Sequence, residues 1–252
     1  MASSPFADHA RRDFMRIAGS GLAALAVAAR PHAAVAQAAA SPLKIGMVGA
    51  GREGSALGTL FVKAGHPVMF SSRHPEELKG RVAALGPLAQ AGTVEQAIAF
   101  GDVVVIVIPY AAMEQIGKDH AGALAKKVLV IDVSNPIPRR DGEDFVKRVN
   151  EQGGAGLVTA KWLPGSSIVR AFNAIGSGRL GEIAHRSGEP VGVPIAGDDP
   201  KAIAVAQSLI REIGFEPVLV GGLAMGKHLV PGTPLQGEHT PAEIRQIAGG
   251  LH

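Results

Sequence analysis

Eight short apolar runs recur along the chain, separated by stretches of helical period. That alternation limits the fold more than any other feature. The runs are Leu43–Val48, Val68–Ser71, a weak Leu88–Ala91, Val103–Ile108, Val128–Val133, Ile168–Phe172, Val191–Ala196 and Pro217–Val220. Several are unbroken Val/Ile, the pattern of parallel strands covered on both faces. Helical patterns lie at Glu53–Ala64, Pro75–Leu85, Val94–Phe100, Ala111–Lys126, Phe145–Asn150 and Lys201–Ile213. Some carry start signals. Pro75 suits a first helical position, Thr93 with Gln96 forms a capping box, and Asp198 or Asp199 before Pro200 caps the last long helix. The alternation predicts an α/β fold: one Rossmann-type, doubly wound, mainly parallel sheet over residues 42–230. Arg139–Gly156 reads as a polar surface connection. Residues 231–252 read as a polar, loose tail, within which Pro241–Ala248 has the composition of a short helix.

The first run leads into Gly49-Ala50-Gly51-Arg52-Glu53-Gly54, a G-x-G-x-x-G at a strand-to-helix turn. With 33 glycines in the chain the spacing alone is weak, but its place between strand and helix is what dinucleotide binding requires. Gly49 serves the tight turn, Gly51 the close approach of backbone to pyrophosphate, and Gly54 the packing of helix on strand. The pyrophosphate would rest on free N–H groups at the helix start. The end of the second strand then selects between cofactors. An NAD site places Asp or Glu there for the ribose 2′-hydroxyl. Here the chain reads Ser71-Ser72-Arg73-His74. Two hydroxyls and a guanidinium suit a 2′-phosphate, which an acid would repel. NADP(H) is the expected cofactor, and His74 reads as a solvated surface residue.

The N-terminus carries a different signal. Arg11-Arg12 precedes an apolar Ile17–Ala29, and Ala34-Val35-Ala36 has the small-x-small form that signal peptidase accepts. The order matches a cleaved twin-arginine export signal over residues 1–36, so the expected location is periplasmic or exported, with the export machinery as a partner. The plain readings are an amphipathic N-terminal helix or a start-site error, with a cytoplasmic protein in the latter case. Removal of 1–36 takes four arginines and two aspartates and lowers the net charge from +3 to about +1. No basic stripe with interleaved aromatics argues for nucleic acid. No later apolar run has membrane-spanning length. The chain has no cysteine, which excludes disulfides and a thiol nucleophile.

Read in order, "GAGREGSALG", "SSRHPEEL", "AGTVEQAIAFGDVVVIVIPY", "VIDVSNP", "LPGSSIVRAFNAI", "VPIAGDDPKA" and "VGGLAMGKHL" resemble the F-420-dependent NADP reductase family and the NADPH domain of the STEAP metalloreductases. The resemblance spans about Leu43 to Leu235. It implies hydride transfer between a nicotinamide and a flavin- or deazaflavin-like acceptor. It puts Ala50 to Glu53 in the phosphate loop and Ser72 with Arg73 at the 2′-phosphate. Ile108, Pro109 and Tyr110 lie along ribose and nicotinamide, Ser134-Asn135-Pro136 border the same crevice, and Asn173, after Ala171 and Phe172, lies near the carboxamide. Two places depart from the family. The further basic residue that some members carry falls here near Glu77, with Lys79 the nearest base. Gln236–His252 is polar where the deazaflavin reductases are apolar, and a closing partner subunit, hence a homodimer, is expected.

Hydride transfer needs proximity and alignment rather than an acid or base, so no catalytic side chain is assigned. His120, His185, His228 and His239 lack metal-ligand spacing, and nucleophile signatures are absent. An imine or 3-hydroxyacid reductase would need a long helical domain for which about thirty residues after Val220 are too few. The non-enzyme rival is an exported NADP(H)-binding protein, a sensor or carrier without turnover.

Overall fold

The computed structural model describes residues 41–251. The signal-peptide reading, on 1–36, lies outside them. Eight strands form one sheet: β1 Ile45–Val48, β2 Val68–Ser71, β3 Ala89–Gly92, β4 Val103–Ile106, β5 Leu129–Asp132, β6 Ile168–Arg170, β7 Gly192–Gly197 and β8 Glu216–Gly221. Their spatial order is β3-β2-β1-β4-β5-β6-β7-β8. All neighbours pair in parallel except β6 with β7. The sheet is Rossmann-like and mostly parallel, as the runs of Val and Ile demand.

Alternation within each strand explains how both faces are covered. Val103 and Val105 of β4 join one core cluster, Val104 and Ile106 the other. Leu129 and Ile131 divide from Val130 in the same way on β5. The first face is covered by α1 (Arg52–Lys63), α2 (Lys79–Leu85), α8 (Leu180–Ile183) and α9 (Pro200–Glu212). The second is covered by α3 (Val94–Phe100), α4 (Met113–Leu124) and the end of α7 (Ala155–Trp162). Between α4 and α7 come the short α5 (Pro138–Asp141) and α6 (Glu143–Glu151). The capping box of α3 forms as read, with Gln96 N–H donating to Thr93 Oγ1 at 3.2 Å and Thr93 N–H to Gln96 Oε1 at 2.9 Å. Asp199 caps α9, accepting from Lys201 N–H at 2.9 Å.

Three expectations change. The segment Pro75–Leu85 splits into a 3₁₀ turn, Pro75–Leu78, and α2. Within 139–156 the helix read at Phe145–Asn150 forms as α6, and the expected surface connection around it is largely helical too, because Val149, Ala155 and Val158 pack on Tyr110 beneath its polar surface. The segment 231–252 is not a loose tail. The short helix read at Pro241–Ala248 forms as α10, Pro241–Gly249, opened by a Thr240–Glu243 capping box, but it is packed rather than loose: Ile244 is fully buried with Leu229, Leu235, Ala196 and Val218. Its few apolar residues fall on one helix side, which a composition reading averages away. Gly192 N–H donates to His239 O at 2.8 Å, tying this end of the chain to β7. No helix of the described residues is long and apolar enough to cross a membrane.

Candidate functional site

In an open α/β sheet the ligand crevice forms outside the C-terminal strand ends where the strand order reverses. That point here lies between β1 and β4. The loop leaving β1 turns at Gly49, whose φ of +103° favours glycine. A Cβ there would also stand 2.2 Å from the Val107 carbonyl oxygen. At Gly54 a Cβ would meet the Gly49 carbonyl oxygen at 2.0 Å, so the first turn of α1 lies directly against the loop. A Cβ on Gly51, by contrast, would meet nothing within 4 Å, which leaves the approach to the loop backbone open. No side chain caps α1. Its first N–H groups are therefore free for an anion, which is the fit a pyrophosphate needs.

Two adjoining cavities share Gly51, Ile108 and Pro109. The larger, about 650 Å³, runs from the glycine loop over the end of β2 and takes in Ser71, Ser72, Arg73, Glu77 and Arg81. The smaller, about 270 Å³, lies over the ends of β4 and β5 and takes in Arg52, Glu53, Ser134, Asn135, Ile137, Arg140 and Ser177. Ala50 faces the larger cavity only.

At the β2 end the hydroxyls serve the scaffold as well as the cleft. Ser71 is buried and accepts from Gly49 N–H at 3.3 Å. Ser72 Oγ accepts from His74 N–H at 3.0 Å. Arg73 is exposed at the rim. The sequence reading missed Arg81. From α2 its guanidinium donates to the Ala50 carbonyl oxygen at 2.9 Å and to Ser55 Oγ, so a second cation stands beside the glycine loop. It lies eight residues past Arg73 in a helix whose periodicity gives no hint of a cleft. His74, Glu76 and Glu77 bring ligand atoms within 4.8 Å of one another, but all three are exposed and solvated.

Beneath the smaller cavity is a buried ionic network, also missed. Arg170 and Asp132, both fully buried, pair at 2.5 Å. Asp132 Oδ2 also accepts from Thr159 Oγ1 at 2.8 Å, and its Oδ1 from Ser134 N–H at 2.9 Å. Arg170 Nη2 donates to the Ser134 carbonyl oxygen and to Asn135 Oδ1, each at 3.1 Å. Asn135 Nδ2 donates to the Asn173 carbonyl oxygen at 2.7 Å. Ser134 joins the strand ends, since its Oγ accepts from Ile108 N–H at 3.2 Å and donates to Ile106 O at 3.3 Å. These bonds hold the β4, β5 and β6 ends in fixed relation.

Two expected residues take other roles. Tyr110 does not line the cleft. It is fully buried, its ring packs 5.6 Å from that of Trp162, and its hydroxyl donates to Ala155 O at 2.7 Å. Burial pushes its phenol well above the usual tyrosine range. The cause is the 3₁₀ turn Tyr110–Ala112 after Pro109, which carries the side chain under α6 and α7. Asn173 is buried and lines neither cavity. Its Nδ2 is spent on Asp132 O at 3.1 Å and Ser134 O at 3.4 Å. Phe172, just before it, has φ +64°, a left-handed backbone held by packing against Phe215.

Residues 44–136 match the family model described as NADP oxidoreductase, coenzyme F420-dependent. No curated protein matches the chain. Among solved structures, a hypothetical protein from Sinorhizobium meliloti shares 25% identity at TM-score 0.64, over 79% of this chain and 96% of that one. A protein from Arthrobacter sp. FB24, described as an F420-dependent NADP-reductase, shares 20% identity at TM-score 0.64, over 77% of this chain and 97% of its own. An imine reductase from Myxococcus stipitatus, solved with NAD⁺, shares 20% identity at TM-score 0.53. The match takes in 73% of this chain and 56% of that enzyme. The fold is therefore the single-domain, Rossmann-like α/β fold that NAD(P)-binding reductases use.

Proposed function

We propose that the protein is an NADP(H)-dependent oxidoreductase of the F420-dependent NADP reductase family, passing hydride between the nicotinamide and a flavin- or deazaflavin-like acceptor. One observation carries the reading: the cleft at the strand-order reversal has an uncapped helix start at its middle, hydroxyls rather than an acid at the end of β2 itself, and Arg73 and Arg81 beside them, two cations to the one carboxylate of Glu77. Phosphates sit well on free N–H groups, and a 2′-phosphate on guanidinium forks. The family match over 44–136 and the reductase neighbours support the same reading.

When bound, NADPH supplies the hydride. The chain's own residues bind and align it. Gly49 to Gly54 receive the pyrophosphate. Ser72, Arg73 and Arg81 hold the 2′-phosphate. Ile108 and Pro109 form the wall shared by the two halves of the cleft, and Ser134 with Asn135, which line the smaller half, would border the nicotinamide. No proton donor is required of the protein for the hydride step itself.

The test is a titration of the mature domain with NADPH and NADH, followed by free flavin and deazaflavin while absorbance at the nicotinamide band is read. Binding selective for NADPH, with oxidation on adding an acceptor, is expected. Tight binding without turnover on either acceptor would favour the second reading, an NADP(H)-binding sensor or carrier. Export would favour that reading, since free NADPH is scarce outside the cytoplasm. We further propose that residues 1–36 direct twin-arginine export of the folded protein with its cofactor loaded. Arg11→Lys with Arg12→Lys should leave it in the cytoplasm, as fractionation will show.

A further inference from the structure

The ring-side half of the cleft contains one carboxyl, and hydride transfer gives it no task. Glu53 is the second residue of α1, and it lines the smaller cavity with Pro109, Ser134, Asn135 and Ser177. It does not line the larger cavity, where the 2′-phosphate end lies. Its Oε1 is buried and has no hydrogen-bond partner among the described residues. Glu53 forms no ion pair among the described residues, and burial pushes its carboxyl up to about 7. The other charged groups about it are Arg52 on the same helix, Arg140 with Asp141 on α5, Arg179 and Glu182 at α8, which packs on α1, and the closed Asp132–Arg170 pair under the floor. Arg140 is engaged with Asp141 at 2.9 Å and with the Asn135 carbonyl oxygen at 2.5 Å. None of these bonds reaches Glu53.

We propose that Glu53 distinguishes the two redox forms of the nicotinamide cofactor: its carboxylate pairs with the cationic ring of the oxidised form, and its neutral acid accompanies the uncharged ring of the reduced form. The inference rests on the reading of the cleft as an NADP(H) site. The step balances. Hydride carries two electrons and one hydrogen nucleus from NADPH to the acceptor, leaving a ring cation. The Glu53 proton passes to solvent, so cation and carboxylate arise together. The reduced acceptor takes its proton from solvent.

The experiment measures the affinities of NADPH and NADP⁺ for the mature protein by calorimetry at pH 6, 7 and 8. Both forms carry the same pyrophosphate and 2′-phosphate, so the ratio of the two dissociation constants cancels those charges and isolates the ring. An opposite charge within about 4–6 Å favours an ionised carboxyl by roughly tenfold or more. The ratio Kd(NADPH)/Kd(NADP⁺) is expected to rise about tenfold from pH 6 to pH 8 on that basis. Glu53→Gln, of the same shape and neutral throughout, is expected to hold the ratio constant. A wild-type ratio that does not change with pH overturns the inference, and it does so whether or not the variant folds. A rise that survives in Glu53→Gln, or in Glu53→Leu, overturns it equally. Failure of either nucleotide to bind the folded wild type at any pH would instead overturn the NADP(H) reading itself.

Discussion

Arg81 shows how one side chain can belong to scaffold and site together. Its guanidinium holds the Ala50 carbonyl oxygen and so fixes the glycine loop from outside, while the residue lines the cavity with Arg73. A charge-assisted hydrogen bond contributes about 1.5–3 kcal/mol. Arg73→Ala is therefore expected to weaken NADPH binding by about tenfold or more and to leave NADH unchanged, as paired titrations will read. Arg81→Ala should weaken both, and NADPH the more. Glu53 gives a second prediction at this scale, in stability rather than binding. Its carboxyl is raised from 4.5 to about 7 in the folded protein, so the folded state holds the proton more tightly than the unfolded chain. Its contribution is full below about pH 4.5 and is lost as the pH rises through 7. Thermal melts of Glu53→Gln should accordingly match wild type near pH 4.5 and exceed it at pH 8.

Elements were legible in the sequence where burial is two-sided. β4 and β5 lie in mid-sheet, covered on both faces, so their runs of Val, Leu and Ile had no polar alternation to hide them. Helices were harder to read where they are short. α7 is apolar on nearly every side and so shows no helical stripe, and α10 buries only part of one side within a segment whose overall polarity conceals it. The consequence is measurable. Ile244 is fully buried, and an Ile→Ala change in a core costs about 2–5 kcal/mol. Ile244→Ala is expected to destabilise the whole domain in a denaturant titration, where a loose tail would show no change. Tyr110 tests the other displaced expectation. Tyr110→Phe removes the hydroxyl's bonds to the Ala155 carbonyl oxygen and Thr159 Oγ1, at a cost of about 1–3 kcal/mol, and should leave NADPH affinity as it is.

At the scale of the whole molecule, the Asp132–Arg170 pair joins β5 to β6 across the floor of the cleft. Thirty-eight positions separate the two residues, and each is the last residue of its strand, where a charge usually marks a chain reaching solvent. Nothing local distinguishes them from surface residues. Only the assembled sheet brings them together, which is why the glycine loop was readable and the floor beneath it was not. Removing one member leaves a buried charge unpaired, at about 3–5 kcal/mol. Arg170→Met should therefore unfold at markedly lower denaturant, and Asp132→Leu added to it should recover part of the loss. The far edge of the sheet has a consequence of another kind. β7 and β8 depend on α10 for cover, and α10 follows both in the chain. A nascent chain that has emerged only as far as 240 leaves Ala196, Leu229 and Leu235 bare, so the far edge of the sheet stays open until α10 leaves the ribosome. Closure of that edge therefore waits on a helix that adds no strand to it.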